Sequence, residues 1–199
     1  MQPKVQIVNV VVTAALNHRL DLEAICATCP NAEYRPEQFP GLVFRLKKPK
    51  TATLLFSTGR MVCTGAKSPA QAKLAVGRVV RELRSKGIVI PGNPEVHVQN
   101  IVASVNLGGE VDVEKTVHIL ERVLYEPEQF PGVIYRMQEP RVVILIFATG
   151  KLVVTGAKKE EDVYAATDKL QRRLEEAGSI SYGEAPRRYE ARLEVKNKK

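Results

Sequence analysis

One stretch of this chain is present twice, and every residue of the second copy lies 91 positions after its counterpart, without a gap. The shared segments of the first copy are Glu37-Gln-Phe-Pro-Gly41, Leu54-Leu-Phe56 and Val62-Cys-Thr-Gly-Ala-Lys67. Those of the second copy are Glu128-Gln-Phe-Pro-Gly132, Leu145-Ile-Phe147 and Val153-Val-Thr-Gly-Ala-Lys158. A period of this length is that of a half-domain, not of a solenoid unit, so the repeat predicts two equivalent halves related by a pseudo-two-fold axis.

The repeat also predicts how the chain is divided. We expect a first repeat over residues 5–87, a linker over 88–95, a second repeat over 96–178 and a basic, flexible tail over 179–199.

Period-two patterns and turn residues predict strands in equivalent places of the two repeats. In the first repeat the predicted strands are 5–16, 41–47, 51–57 and 60–66, with a short one near Tyr34. In the second they are 96–104, 132–138, 142–148 and 151–157, with a short one near Tyr125.

Two helices are predicted in each repeat. Asp21 and Asp112 are predicted to cap a short helix, whose apolar positions are Leu22, Ile25, Cys26 and Cys29 in one copy and Val113, Val117, Leu120 and Leu124 in the other. A long helix follows Ser68 and, in the second copy, begins at Glu160. The sequence therefore predicts an α+β fold, with one curved antiparallel sheet and helices on one face only.

Composition narrows the partners and excludes some sites. The net charge of +8 and the pI of about 9.5 favour an anionic partner, most commonly nucleic acid. No membrane span or signal segment is predicted, so we expect the protein to stay in the compartment where it is made. Cys26 and Cys29 have a metal-like CxxC spacing, but Val117 and Leu120 are their counterparts. We therefore interpret them as structural thiols and predict no metal and no cofactor.

Strand alternation predicts what lies on the sheet face that the helices leave open. We predict two equivalent sets there: Asn9, Val11, Leu54, Phe56, Val62 and Thr64, and Asn100, Val102, Leu145, Phe147, Val153 and Thr155. Such an apolar surface with a few polar groups indicates a binding site. It fits the minor groove of A·T-rich DNA, where every base pair presents acceptors to the asparagine amides. Phe side chains at the sheet ends are suited to enter base steps, and cations at the margin to contact phosphates.

At these residues the chain resembles the TATA-box-binding protein family of general transcription initiation factors. The resemblance rests on the motifs EQFPG-x-x-x-R, L-x-F-x-x-G and V-x-TGAK, each present twice, and covers nearly all of residues 5–179. It implies a saddle-shaped sheet of ten strands with four helices on its convex face. It also implies minor-groove binding at the TATA element and kinking of the DNA, which is an established property of the family and not a deduction from this sequence.

The resemblance further implies residue roles. Phe39 with Phe56 and Phe130 with Phe147 match the kinking pairs. Asn9, Asn100, Thr64 and Thr155 match the central hydrogen-bonding groups, and Val11, Val102, Leu54, Leu145, Val62 and Val153 match the apolar base contacts. Arg45, Arg136, Arg60 and Lys151 match phosphate-contacting positions.

The family also implies protein partners, namely transcription factor B and the RNA polymerase pre-initiation complex. The loop before the second EQFPG motif differs between the copies, with Glu126 in place of Arg35, and Glu126 and Glu128 are the candidate contacts for transcription factor B. We expect a monomer on DNA, with a homodimer in the free state left open. An archaeal-type member is expected in the cytoplasm, at the nucleoid, and a eukaryotic one in the nucleus.

The sequence also bears on two other functional classes. An enzyme is disfavoured because His18, His97 and His118 are not repeated and no catalytic motif is present. A protein-interaction scaffold, or an accessory nucleic-acid-binding domain, that uses the same apolar face stays open at this point.

Overall fold

A computed structural model describes residues 2–183 of the chain. The first repeat contains β1 (Lys4–Ala15), α1 (Leu22–Thr28), β2 (Ala32–Glu33), β3 (Leu42–Lys47), β4 (Lys50–Leu55), β5 (Arg60–Ala66) and α2 (Pro69–Ser85). The second contains β6 (Val96–Asn106), β7 (Glu110–Val111), α3 (Val113–Ile119), β8 (Val123–Leu124), β9 (Val133–Met137), β10 (Val142–Ile146), β11 (Lys151–Ala157), α4 (Glu160–Glu176) and β12 (Ile180–Ser181).

Ten of these strands form one antiparallel sheet in the order β2-β3-β4-β5-β1-β6-β11-β10-β9-β8. The long strands β1 and β6 pair with each other at the centre, and each repeat continues outward from them in the same order. The pseudo-two-fold axis therefore passes between β1 and β6. The predicted α+β fold with a saddle-shaped, ten-stranded sheet and four helices is confirmed.

The long helices cover one face of the sheet. Ser68 caps α2 by accepting a hydrogen bond from the backbone N–H of Gln71, with Pro69 at the first helical position. The predicted apolar stripes are buried in both helices: Ala72, Val76, Val79 and Leu83 in α2, and Val163, Thr167, Leu170 and Leu174 in α4. They pack on sheet residues such as Met61 and Cys63, so the hydrophobic core lies between the helices and this face of the sheet.

The short helices follow the prediction with one exception. Asp21 and Asp112 accept hydrogen bonds from the N–H groups of Ala24 and Lys115, at 3.0 and 2.9 Å, as N-caps do. Leu124 was wrongly assigned to the apolar stripe of the second helix. α3 ends at Ile119, and Leu124 lies in β8 with half of its surface exposed.

The central strands do not alternate regularly, and this corrects the simple period-two prediction. The β1–β6 register shifts at Val8 and again at its counterpart Gln99, so each strand carries a β-bulge. Before the bulge Val5 and Ile7 pack against the core, whereas after it Val10 does. Each bulge therefore turns the next odd-numbered side chains of β1, and the even-numbered ones of β6, to the open face.

The chain after α4 is packed at first. Ser179 is buried, and β12 pairs with β7 in a separate two-stranded sheet. The Tyr182 hydroxyl donates a hydrogen bond of 2.5 Å to Glu175 and thereby lowers the pKa of that carboxyl. The tail predicted as flexible over 179–199 therefore begins with residues that are packed against the fold. Its residues from 184 onward lie outside the described residues. The other repeat and linker boundaries stay predictions.

Candidate nucleic-acid interface

The sheet face opposite the helices is open, and the predicted side chains lie on it. All twelve members of the two predicted sets are partly exposed. Their neighbours along each strand are buried, except at the bulges, where Val8, Gly65, Gln99 and Gly156 are exposed. Cross-strand register makes them contiguous: Val62 lies opposite Leu54, and Val153 lies opposite Leu145. Five further partly exposed residues of this face were missed: Thr13, Val43, Ala52, Ile134 and Val143. Register across the hairpins could have found the last four, since each lies opposite a member of the predicted sets.

The side-chain oxygens of the two open-face asparagines accept hydrogen bonds from backbone N–H groups at a second pair of β-bulges. The β1–β5 register shifts at Thr64–Gly65, where Gly65 has a φ of 97° that favours glycine. The Oδ1 atom of Asn9 accepts hydrogen bonds from the Gly65 N–H at 2.8 Å and from the Thr64 hydroxyl at 3.2 Å. Because a backbone N–H only donates, the Asn9 atom that faces it must be the oxygen. The amide nitrogen, Nδ2, is therefore turned away from the Gly65 N–H.

The second repeat has the same bond to a glycine N–H, but here the asparagine amide nitrogen also donates to the threonine hydroxyl. Asn100 accepts from the Gly156 N–H at 2.7 Å, and its amide lies 3.2 Å from the Thr155 hydroxyl. Within the described residues the amide nitrogen of Asn9 donates no hydrogen bond. That of Asn100 donates one, so its second hydrogen has no acceptor there. Both asparagines therefore present fixed donors near the centre of the open face.

An aromatic pair stands at each end of this face. The rings of Phe39 and Phe56 meet edge to face with centroids 5.9 Å apart, and those of Phe130 and Phe147 with centroids 5.7 Å apart. Phe39 is 39% exposed. No member of either pair is in the buried core, so all four rings have surface available for contact.

Glycine makes room for both pairs, which the sequence analysis missed. A Cβ atom at Gly41 would lie 2.6 Å from Phe39 and 3.0 Å from Phe56, and one at Gly132 would lie 2.9 and 3.0 Å from Phe130 and Phe147. Their place in the repeated Phe-Pro-Gly motif was the available signal.

The cations predicted at the margin are exposed. Each of these cations lies two positions from an open-face residue of its own strand and therefore on the same side of the sheet: Arg45, Arg60, Arg136 and Lys151. None of them forms an ion pair within residues 2–183. The face is thus apolar at its centre and positively charged around it.

Glu126 and Glu128 lie in the loop that leads to Phe130, and both are exposed. The Glu126 carbonyl accepts from the N–H groups of Gln129 and Phe130, as the Arg35 carbonyl does from its counterparts. The loops thus share a backbone turn but differ in charge. Arg35 pairs with Glu33 at 2.9 Å, whereas neither Glu126 nor Glu128 has an ion-pair partner among the described residues.

The cysteines are separate from this face. Cys29 and Cys63 are buried, Cys26 is half-buried, and burial raises the pKa of the Cys63 thiol, which keeps it protonated. In the described part of the chain no group of three His, Cys, Asp or Glu residues is placed to hold a metal ion. Over the same residues no helix is both long and apolar enough to cross a membrane.

An open apolar sheet face with fixed amide donors, exposed aromatic pairs and a basic margin defines a sheet-type nucleic-acid-binding protein. Comparison with known proteins gives the family. The family model described as transcription factor TFIID, or TATA-binding protein, matches residues 4–86 and 95–177. The chain belongs to the TATA-binding protein family, whose members are DNA-binding transcription factors and not enzymes.

Individual relatives agree. The chain is 54% identical over 178 residues to the TATA-box-binding protein of Pyrobaculum calidifontis, covering 89% of each chain. It is 51% identical over 179 residues to that of Pyrodictium occultum, covering 90% of each. Its structure is similar to that of Methanococcus jannaschii TBP, with a TM-score of 0.80, 46% identity and coverage of 87% of this chain and 99% of the other.

Proposed function

We propose that this protein binds the minor groove of an A·T-rich promoter element, kinks the duplex at two steps and recruits transcription factor B and RNA polymerase. The observation that carries the proposal is the combination, on one open face, of contiguous aliphatic side chains with two fixed asparagine amides. The names of the relatives support the DNA element, since they are TATA-box-binding proteins.

The chemistry of the open face matches that of the groove. A·T and T·A pairs present only acceptors in the minor groove, whereas a G·C pair adds the donor amino group of guanine. The amides of Asn9 and Asn100 are donors turned toward that side, so they pair with acceptors and not with the guanine amino group. Leu54, Val62 and their counterparts offer that amino group neither an acceptor nor space.

The aromatic pairs supply the kinks in this proposal. Apolar side chains that enter a base step unstack it and bend the duplex toward the major groove. Phe39 with Phe56, and Phe130 with Phe147, form such wedges at opposite ends of the sheet. Arg45, Arg60, Arg136 and Lys151 then hold the phosphates beside the widened groove.

Binding to matched A·T-rich and G·C-rich duplexes at several salt concentrations tests the DNA part of the proposal. We expect the A·T duplex to bind at least about 1000-fold more tightly, as is typical of specific over non-specific sites. Affinity should also fall steeply with salt, because phosphate contacts release counterions. Equal affinity for the two duplexes would contradict the proposal and favour a protein-interaction scaffold.

The partner part has its own prediction. Replacing Glu126 and Glu128 by lysine should reduce the binding of transcription factor B to the protein–DNA complex by about tenfold or more, because an exposed acidic contact is reversed. The measurement is a gel shift with labelled A·T duplex and added transcription factor B. Binding to the duplex alone should not weaken.

The matched control is Glu37→Lys, at the position of the first repeat equivalent to Glu128. It should leave recruitment of transcription factor B unchanged. Unaltered recruitment by the Glu126→Lys/Glu128→Lys variant would remove this loop from the contact surface.

A further inference from the structure

The pseudo-symmetry of the open face is broken in charge where the two central strands begin. Lys4 is the first residue of β1, and its counterpart, 91 positions later, is Glu95, which directly precedes β6. Gln6 and His97 are equivalent in the same way. The two central strands therefore begin with opposite charges.

Register places these residues beside the cations of the margin. Lys4 pairs with Asn106, which in turn pairs with Lys151. At the opposite end of β1, Arg60 pairs with Ala15, and His97 pairs with Thr13, two residues before Ala15. We define the second edge as Lys4 and Lys151, and the first edge as Arg60, Glu95 and His97.

Both edges belong to the open face. Val5 and Val96 pack against the core, so the residues before and after them in each extended strand project to the other side. Lys4, Glu95 and His97 are exposed. A single depression is bordered by Phe56, Arg60, Glu95 and His97, which places the carboxylate on the same surface as an aromatic wedge.

The charges of the two edges are unequal. The second edge carries two positive charges, and neither lysine has an ion-pair partner within residues 2–183. On the first edge the positive charge of Arg60 is offset by Glu95, which lies 3.7 Å from the His97 ring and not within ion-pair distance of Arg60. A phosphate backbone along the first edge meets a carboxylate where, along the second, it meets an ammonium group.

From this we infer that Lys4 is a further phosphate-contacting residue and that Glu95 weakens the equivalent contact, so the second edge holds DNA more strongly than the first. This inference rests on the proposed function, because it requires the open face to bind a duplex. The unequal edges give the protein a preferred orientation on the duplex, which two equivalent repeats would not. The half of a duplex with the narrower, more negative minor groove is favoured under the second edge.

Two charge reversals test the inference with effects of opposite sign. Lys4→Glu should weaken binding to an A·T-rich duplex by about threefold and make the dependence of log K on log salt shallower by about one unit, the effect of about one phosphate contact. Glu95→Lys should do the reverse, binding about threefold more tightly with a slope about one unit steeper.

Two further variants complete the experiment. Glu176→Lys changes the charge equally but lies at the end of α4, on the helix side, and should leave the slope unchanged. The double variant Lys4→Glu/Glu95→Lys exchanges the charges between the two edges and should restore the affinity and slope of the original chain. Thermal unfolding should be unaltered in every variant, because the replaced side chains are exposed.

The outcomes separate this inference from the function on which it rests. If the original chain does not prefer A·T-rich DNA, the proposed function fails. If it does, but Lys4→Glu and Glu95→Lys shift the slope no more than Glu176→Lys does, only the inequality of the edges is overturned.

Discussion

A duplex bound to the Phe56→Ala/Phe147→Ala variant should remain nearly straight, whereas the fold of the protein should be almost as stable as before. Each replaced ring is one member of an edge-to-face pair on the open face and lies outside the buried core. With its edge-to-face partner gone, the remaining ring of each wedge, Phe39 or Phe130, no longer holds a base step open, so the steps stay stacked and the bend is lost. The end-to-end distance of a donor–acceptor-labelled A·T duplex, measured by energy transfer, reports the bend.

The single variants and a core variant sharpen the result. Because one pair lies at each end of the sheet, Phe56→Ala alone should remove roughly half of the bend. Phe44→Ala is the matched control, since Phe44 is 0% exposed. It should lower the free energy of unfolding by about 3–5 kcal/mol, as is usual for a core phenylalanine. If Phe56→Ala lowered thermal stability as much as Phe44→Ala, its ring would be part of the core and not a wedge.

The duplication made most of the fold predictable from the sequence. The constant offset of 91 residues places each element twice, so each strand or helix is supported by its counterpart. Once Cys63 is assigned to the helix side, alternation along β5 assigns Val62 and Thr64 to the open face, as the structure shows. Short apolar strands joined by tight hairpins leave few alternative strand pairings.

What the sequence did not reveal depends on contacts between distant residues. The bulges at Val8 and Gln99 have no local signature, because they arise from pairing between the two repeats. The pairing of β12 with β7 is likewise a contact over a long separation, formed by two short segments of two residues each that carry no strand signature of their own. Gly41 could be seen as a turn residue, but its closeness to two aromatic rings requires coordinates.

The asparagines show both sides of this limit. An Asn in the middle of a strand is unfavourable, so its occurrence at two equivalent places, Asn9 and Asn100, is itself a signal of a special role. The sequence could not show that the oxygen serves the fold while the amide faces outward. That division depends on the Gly65 and Gly156 N–H groups, 56 residues away in each case.

This division of roles predicts a large and specific effect of Asn→Asp substitution. The variant Asn9→Asp/Asn100→Asp should lose about tenfold or more in affinity for an A·T duplex per site, because each change replaces a donor by a carboxylate oxygen that faces acceptors of the groove. An aspartate oxygen can still accept from the Gly65 or Gly156 N–H. Thermal unfolding at neutral pH should therefore stay close to that of the original chain.

Asn106→Asp is the matched control for this substitution. Asn106 lies on β6 with Asn100, and its Oδ1 also accepts a hydrogen bond from a glycine N–H, that of Gly108, at 2.9 Å. It lies at the end of β6, however, between Lys4 and Lys151, where a carboxylate meets phosphates and not base edges. Its substitution should cost about threefold in affinity, the value of about one phosphate contact. Equal losses for Asn100→Asp and Asn106→Asp would mean that the central amides read no acceptors, and that charge alone holds the duplex on this face.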